Sequence, residues 1–150
     1  MTALTPSELR PGLCAFLDHR VLVECPGSRA NVRTRANLVN RPGPFLVVAA
    51  LPDDTWLCVP LVSHAGSGKH ALDQALKSGP GNGWLHRPSY FSVHQFWIIP
   101  GPCIIEASGG EFSPEGKRQR YADKAPQALE AVARRQFDSD APYRVVSQLP

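Results

Sequence analysis

Apolar and polar residues fall into short blocks along this chain, and the clearest block is Arg41–His64, RPGPFLVVAALPDDTWLCVPLVSH. Two apolar runs, Phe45–Leu51 and Trp56–Val62, flank Pro52-Asp53-Asp54. Short runs rich in Val, Leu and aromatics and bounded by turn formers predict strands rather than helices. Pro52 presets φ for a turn and the Asp side chains can bond nearby backbone, so the pair predicts a β-hairpin. Neither run alternates cleanly, which predicts that both faces of the hairpin are covered.

The remaining blocks are shorter. Leu13–Leu17 and Val21–Val23 surround polar Asp18-His19-Arg20 and predict one bent strand or two pieces. Residues 24–43 have little periodicity; Arg29, Arg33, Arg35 and Arg41 lie there, with Glu24 the only acid. This is either a functional loop or an exposed β-ribbon, since Asn31, Arg33 and Arg35 alternate with Val32 and Thr34. Ala71–Lys77 has helical spacing. Tyr90–Pro100 and Cys103–Ala107 predict strands, and Tyr143–Val146 a late one. Ser113-Pro114-Glu115 supplies a cap, a first-turn proline and a first-turn acid, so a helical segment is expected over about 113–136, interrupted near Pro126. The pattern predicts one domain over 1–150, mainly β, as a small barrel of five or six strands with one or two helices near the end.

Composition narrows the class. The 15 prolines and 12 glycines favour short strands joined by turns. A net charge of +3 is too small for the whole-protein field to argue for nucleic acid, so local clusters matter more. No apolar run approaches the ~20 residues of a membrane span. The opening MTALTPSELRPG lacks a basic-then-apolar leader pattern, which predicts a cytoplasmic protein. Cys14, Cys25, Cys58 and Cys103 form no C-x-x-C pair and are expected to be reduced core residues.

Three chemistries fail on spacing. Ala65-Gly66-Ser67-Gly68-Lys69-His70 resembles part of a phosphate loop, but Ser63 stands where its first glycine belongs and His70 follows the lysine. The five histidines form no i, i+4 pair and no cysteine completes a ligand set, so no metal or other cofactor is expected. There is no G-x-S-x-G elbow.

Gly12-Leu13-Cys14-Ala15-Phe16-Leu17-Asp18, Arg41-Pro42 before Phe45–Leu51, and Leu57-Cys58-Val59-Pro60-Leu61-Val62-Ser63 follow one another in an order that resembles the MazF/PemK/Kid toxin family. The similarity spans roughly 11–64 and, more loosely, 88–106, where His94-Gln95 stands in for an acid-glutamine pair. The resemblance implies an SH3-like (CcdB/PemK-like) barrel, a homodimer, an antitoxin protein as partner and metal-independent cleavage of single-stranded RNA. Arg41 then matches the family's R-P arginine at the scissile phosphate, with Ser63 or His64 assisting proton transfer. The family's phosphate-binding threonine falls on Val62, which has no hydroxyl. Ser63 points to the opposite face if the strand stays extended. Arg29, Arg33 and Arg35 are the expected backbone-holding arm, and Trp84 and His94 complete the expected nucleic-acid-binding set, Trp84 as an exposed stacking surface. Two readings stay open: a divergent ribonuclease, or a non-catalytic barrel that binds a protein.

Overall fold

The computed structural model describes residues 3–39, 41–66, 69–92, 95–109, 120–122 and 143–150. The expected hairpin is its centre: β3 (Gly43–Leu51) pairs antiparallel with β4 (Thr55–Val62) in the register Phe45↔Pro60 and Leu51↔Thr55. Asp53 and Asp54 take the left-handed conformation in the turn (φ 63° and 53°), which Asp tolerates better than most residues. Thr55 Oγ1 donates to Pro52 O at 2.7 Å and Trp56 Nε1 to Asp54 Oδ1 at 3.3 Å, closing the turn. A bulge between Val47 and Ala49 shifts the register by one residue.

Both faces of the hairpin are buried, as its unbroken apolar runs predict. Phe45, Val47 and Cys58 join a core with Leu13, Ala15, Leu17, Trp97 and Ile99. Leu46, Val48, Leu57, Val59 and Leu61 join a second core with Cys14, Trp84, Phe91 and Phe96. The split follows the period of a strand, in which neighbours face opposite ways.

β1 (Leu13–Leu17) flanks β3 on its outer edge and pairs in turn with β8 (Arg120–Tyr121). On the other side, β4 pairs with β7 (Trp97–Pro100) through Thr55–Cys58 and with β6 (Tyr90–Ser92) through Leu61 and Val62. The change of partner falls at Val59-Pro60, and proline has no N–H to continue a ladder. β5 (Lys69–Ala71) extends β6, while β2 (Arg29–Ala30) and β9 (Arg144–Val145) extend β7. The result is a mainly β protein whose described residues form one nine-stranded sheet in the order β8-β1-β3-β4-β7-β2-β9, forked at β4 with β6 and β5 on the branch. It does not close into the expected barrel: β8 and β9 end the sheet without pairing each other, and the fork at β4 sends strands in two directions.

Several local expectations are corrected. Residues after Asp18 form a helix, α1 (His19–Glu24), not a strand, because Asp18 caps it by accepting from Arg20 N at 3.0 Å. Cys103–Ala107 is likewise helical, within α3 (Gly101–Ser108); Pro102 lies in its first turn, where a missing N–H costs nothing. The stretch expected as a helix over Ala71–Lys77 divides into the end of β5 and a 3-10 turn at Gln74–Leu76, capped by Asp73 through Ala75 N. Of the segment 113–136, Arg120–Tyr121 is strand, drawn into the sheet by β1; residues 110–119 and 123–142 lie outside the described residues. Tyr143–Val146 does contribute a strand, β9.

The cysteine expectation holds for two of four. Cys14 and Cys58 are buried free thiols, and burial pushes the Cys58 thiol up. Cys25 and Cys103 are joined in a disulfide with Cα atoms 5.9 Å apart, because α1 and α3 pack together over the first core. Nothing in a separation of 78 residues announces that pairing. No helix among the described residues is long and apolar enough to cross a membrane.

Candidate functional site

In the antiparallel register of β3 and β4, residues before Phe45 lie beside residues after Pro60. Continuing that register past the paired residues sets Pro42 beside Ser63 and Arg41 beside His64. The β4–β6 register, Leu61↔Phe91 and Val62↔Tyr90, likewise leads from Ser63 and His64 toward Ser89 and Pro88. Three strand ends thus meet at one rim of the sheet, and a groove of about 770 Å³ opens there.

Pro44 of β3 lines it with Arg41 and Pro42 just before that strand, and Pro60 and Val62 of β4 with Ser63 and His64 just after it. The facing wall is Gly83, Trp84, Arg87, Pro88 and Ser89, and Cys14, Phe16 and Arg120 contribute from β1 and β8. Among the described residues, the lining contains three arginines and a histidine and no Asp or Glu. None of Arg41, Arg87 and Arg120 has an ion pair with a described residue. A cluster of guanidinium groups without nearby acids among the described residues attracts anions, and the planar fork suits phosphate oxygens.

The chain matches no family model, no curated protein and no solved structure.

Arg41, Ser63 and His64 therefore share one groove, all three exposed. Ser63 is not turned away from Val62: the strand ends at Val62, so the alternation of an extended chain no longer applies, and both residues line the groove. Trp84 also lines it but is not an exposed platform. Only 6% of its surface is accessible, its Nε1 donates to Ser78 O at 2.8 Å, and the Lys77 ammonium lies 4.5 Å from its ring centroid. His94 lies outside the described residues.

The arginine-rich stretch is elsewhere and is not a free arm. Arg29 sits in β2 between β7 and β9, its side chain exposed. Arg35 turns its guanidinium onto the end of the chain, donating from Nε to Leu149 O at 3.1 Å and from the terminal nitrogen to Ser147 O at 2.8 Å. Arg33 is exposed. None of the three lines the groove. Asn31 and Gln95 fasten the same stretch to β7. Asn31 Oδ1 accepts from Phe96 N at 2.8 Å, and Gln95 bonds Val39 N, Asn37 O and Trp97 Nε1.

One residue shapes the facing wall without entering the groove. Lys77 is buried, and its ammonium donates to Trp84 O, Arg87 O and Ser89 Oγ at 2.8–3.0 Å. Its three protons are thereby all used. Two acceptors are carbonyls at the C-terminal end of the short helix α2 (Asn82–His86), where a cation also meets the helix dipole favourably. Burial lowers the Lys77 pKa from its ordinary value.

Sequence reasoning missed Arg87, Arg120 and Lys77. Arg87 stands beside Trp84 and His86, a usable hint. Arg120 reaches the groove only because β8 pairs with β1, placing it opposite Cys14, and no local pattern announces that.

Proposed function

We propose that this groove binds the backbone of single-stranded RNA and that the protein is a MazF/PemK-like, metal-independent endoribonuclease, the toxin of a toxin-antitoxin pair. The observation that carries the reading is the groove itself: Arg41, Ser63 and His64 meet at one rim beside two further arginines, with no acid and no ion pair to them among the described residues. In the reaction the substrate's own 2′-hydroxyl attacks the adjacent phosphorus as the P–O5′ bond breaks. The products are a 2′,3′-cyclic phosphate and a 5′-hydroxyl. Arg41 holds the phosphate oxygens and offsets the charge of the phosphorane. His64 or Ser63 moves the proton between the attacking and leaving oxygens. Arg29 and Arg33 lie outside the groove lining and serve, in this reading, only as distant backbone contacts. A homodimer, an antitoxin protein as partner and a cytoplasmic location belong to the same proposal. The Cys25–Cys103 bridge pulls against that location, because cytosolic thiols are kept reduced.

The test is to incubate purified protein with mixed-sequence RNA in the presence of a chelator and analyse the ends. Cyclic phosphate ends support the reading, and intact RNA at enzyme excess removes it.

A second reading has its own observation. Val62 lines the groove where a hydroxyl is wanted, and Pro42, Pro44, Pro60 and Pro88 give it apolar walls. A non-catalytic module that docks a protein segment there fits those residues, and would leave RNA intact.

A further inference from the structure

Arg41 accounts for only one of the three groove arginines. Arg120 is half-buried, its Nε donates to Pro80 O at 2.8 Å, and its terminal nitrogen crosses so close to Gly81 that a Cβ there would collide with it. Gly81 also has φ +110°, so glycine suits that position twice over. Holding a guanidinium partly out of water with no carboxylate beside it among the described residues costs free energy, and a bound anion would offset that cost. Arg87 reaches the same groove from the 83–89 wall, its backbone carbonyl fixed by the buried Lys77 ammonium. Its side chain is exposed and has no hydrogen-bond or ion-pair partner among the described residues.

We infer that Arg87, from the 83–89 wall, and Arg120, from β8, form a second phosphate subsite in addition to the one at Arg41, so that the groove grips its ligand at two phosphates. Phe16 and Pro44, cross-strand partners on β1 and β3, also line the groove and offer an apolar surface to a nucleoside. The inference rests on the reading of the groove as a nucleic-acid site, and adds to it which residues hold the strand beyond the reacting phosphate.

The test separates the two. A fluorescein-labelled, mixed-sequence 2′-O-methyl RNA dodecamer cannot be cleaved, so its binding can be followed by anisotropy over a series of KCl concentrations. Each phosphate contact on a single strand contributes about 0.7 to the slope of log K against log salt. Arg87→Ala, which removes an exposed side chain only, is expected to lower the slope by about 0.7 with an unchanged melting temperature. Arg120→Gln is expected to do the same, and Arg144→Ala, at the far edge of the sheet, to leave the slope alone. Unchanged slopes in both Arg87→Ala and Arg120→Gln, with the wild type binding normally, overturn the second subsite and spare the proposed function. Failure of the wild type to bind overturns both.

Discussion

The two faces of the β3–β4 hairpin solve the same burial problem in opposite ways. One face is sealed: α1 and α3 lie over Phe45, Val47 and Cys58, and the Cys25–Cys103 bridge ties the helices together. The other face is only partly covered. The 72–91 segment packs Leu72, Trp84 and Phe91 on it, and toward the strand ends the cover stops and the groove begins. The sealed face is held by apolar packing and a covalent link. The open face is held by a buried ammonium, Lys77, which ties down three acceptors. The covalent link is thereby on one side and the groove on the other. The wall of the open side depends on a polar group whose loss would change both shape and charge.

The comparison can be broken at the bridge first. Cross-linking across 78 residues removes denatured-state entropy worth about 4 kcal/mol. Reduction, or Cys25→Ser with Cys103→Ser, should lower the unfolding free energy by that order while leaving oligonucleotide affinity at the groove unchanged. Lys77→Met comes next. It leaves buried carbonyls without donors and should cost about 2–3 kcal/mol. Unlike the disulfide change, it should also weaken oligonucleotide binding, because Arg87 loses its anchor. Equal effects of the two changes on binding would mean that the faces are not separable in this way.

A smaller effect belongs to the sealed face. Asp18 accepts from the Arg20 backbone N–H and from its guanidinium at 3.0–3.2 Å, and that bonding holds its carboxyl below the ordinary aspartate range. A carboxyl whose pKa is depressed on folding contributes fully above its unfolded value, and the contribution is lost as pH falls through the folded pKa. Asp18→Ala should cost about 1 kcal/mol near neutrality through loss of the cap. The difference from wild type should shrink in acid below the ordinary aspartate value, as chemical denaturation at a series of pH values would record. A constant difference down to the lowest pH would remove Asp18 as the source.

The hairpin was legible in the sequence because covering both faces of a strand leaves a continuous apolar run, here Phe45–Leu51 and Trp56–Val62. The helices were not. His19–Glu24 carries three branched apolar residues in six and looks like a strand unless Asp18 is recognised as its cap. At Gly101-Pro102 a pair that punctuates most chains instead opens α3. The rim of the site was legible through Arg41-Pro42 and Ser63-His64, which lie in neighbouring strand ends. Arg120 and the Cys25–Cys103 bridge were not, since each depends on pairing between elements far apart in the chain. Trp84 was misjudged because its burial is decided by contacts with Lys77 and Ser78 that form only in the fold.

The central claim is that Arg41 holds a scissile phosphate in this groove, and the most direct measurement is a rate comparison. Wild type and Arg41→Ala are incubated with mixed-sequence RNA in the presence of a chelator, and the appearance of 2′,3′-cyclic phosphate ends is timed. Loss of one positioned donor to a developing anion typically lowers the rate by about a hundredfold or more. The expected result is cleavage by the wild type and a drop of that order in the variant, with its melting temperature unchanged. Equal rates in the two proteins, or no cleavage by the wild type at enzyme excess, would contradict the account.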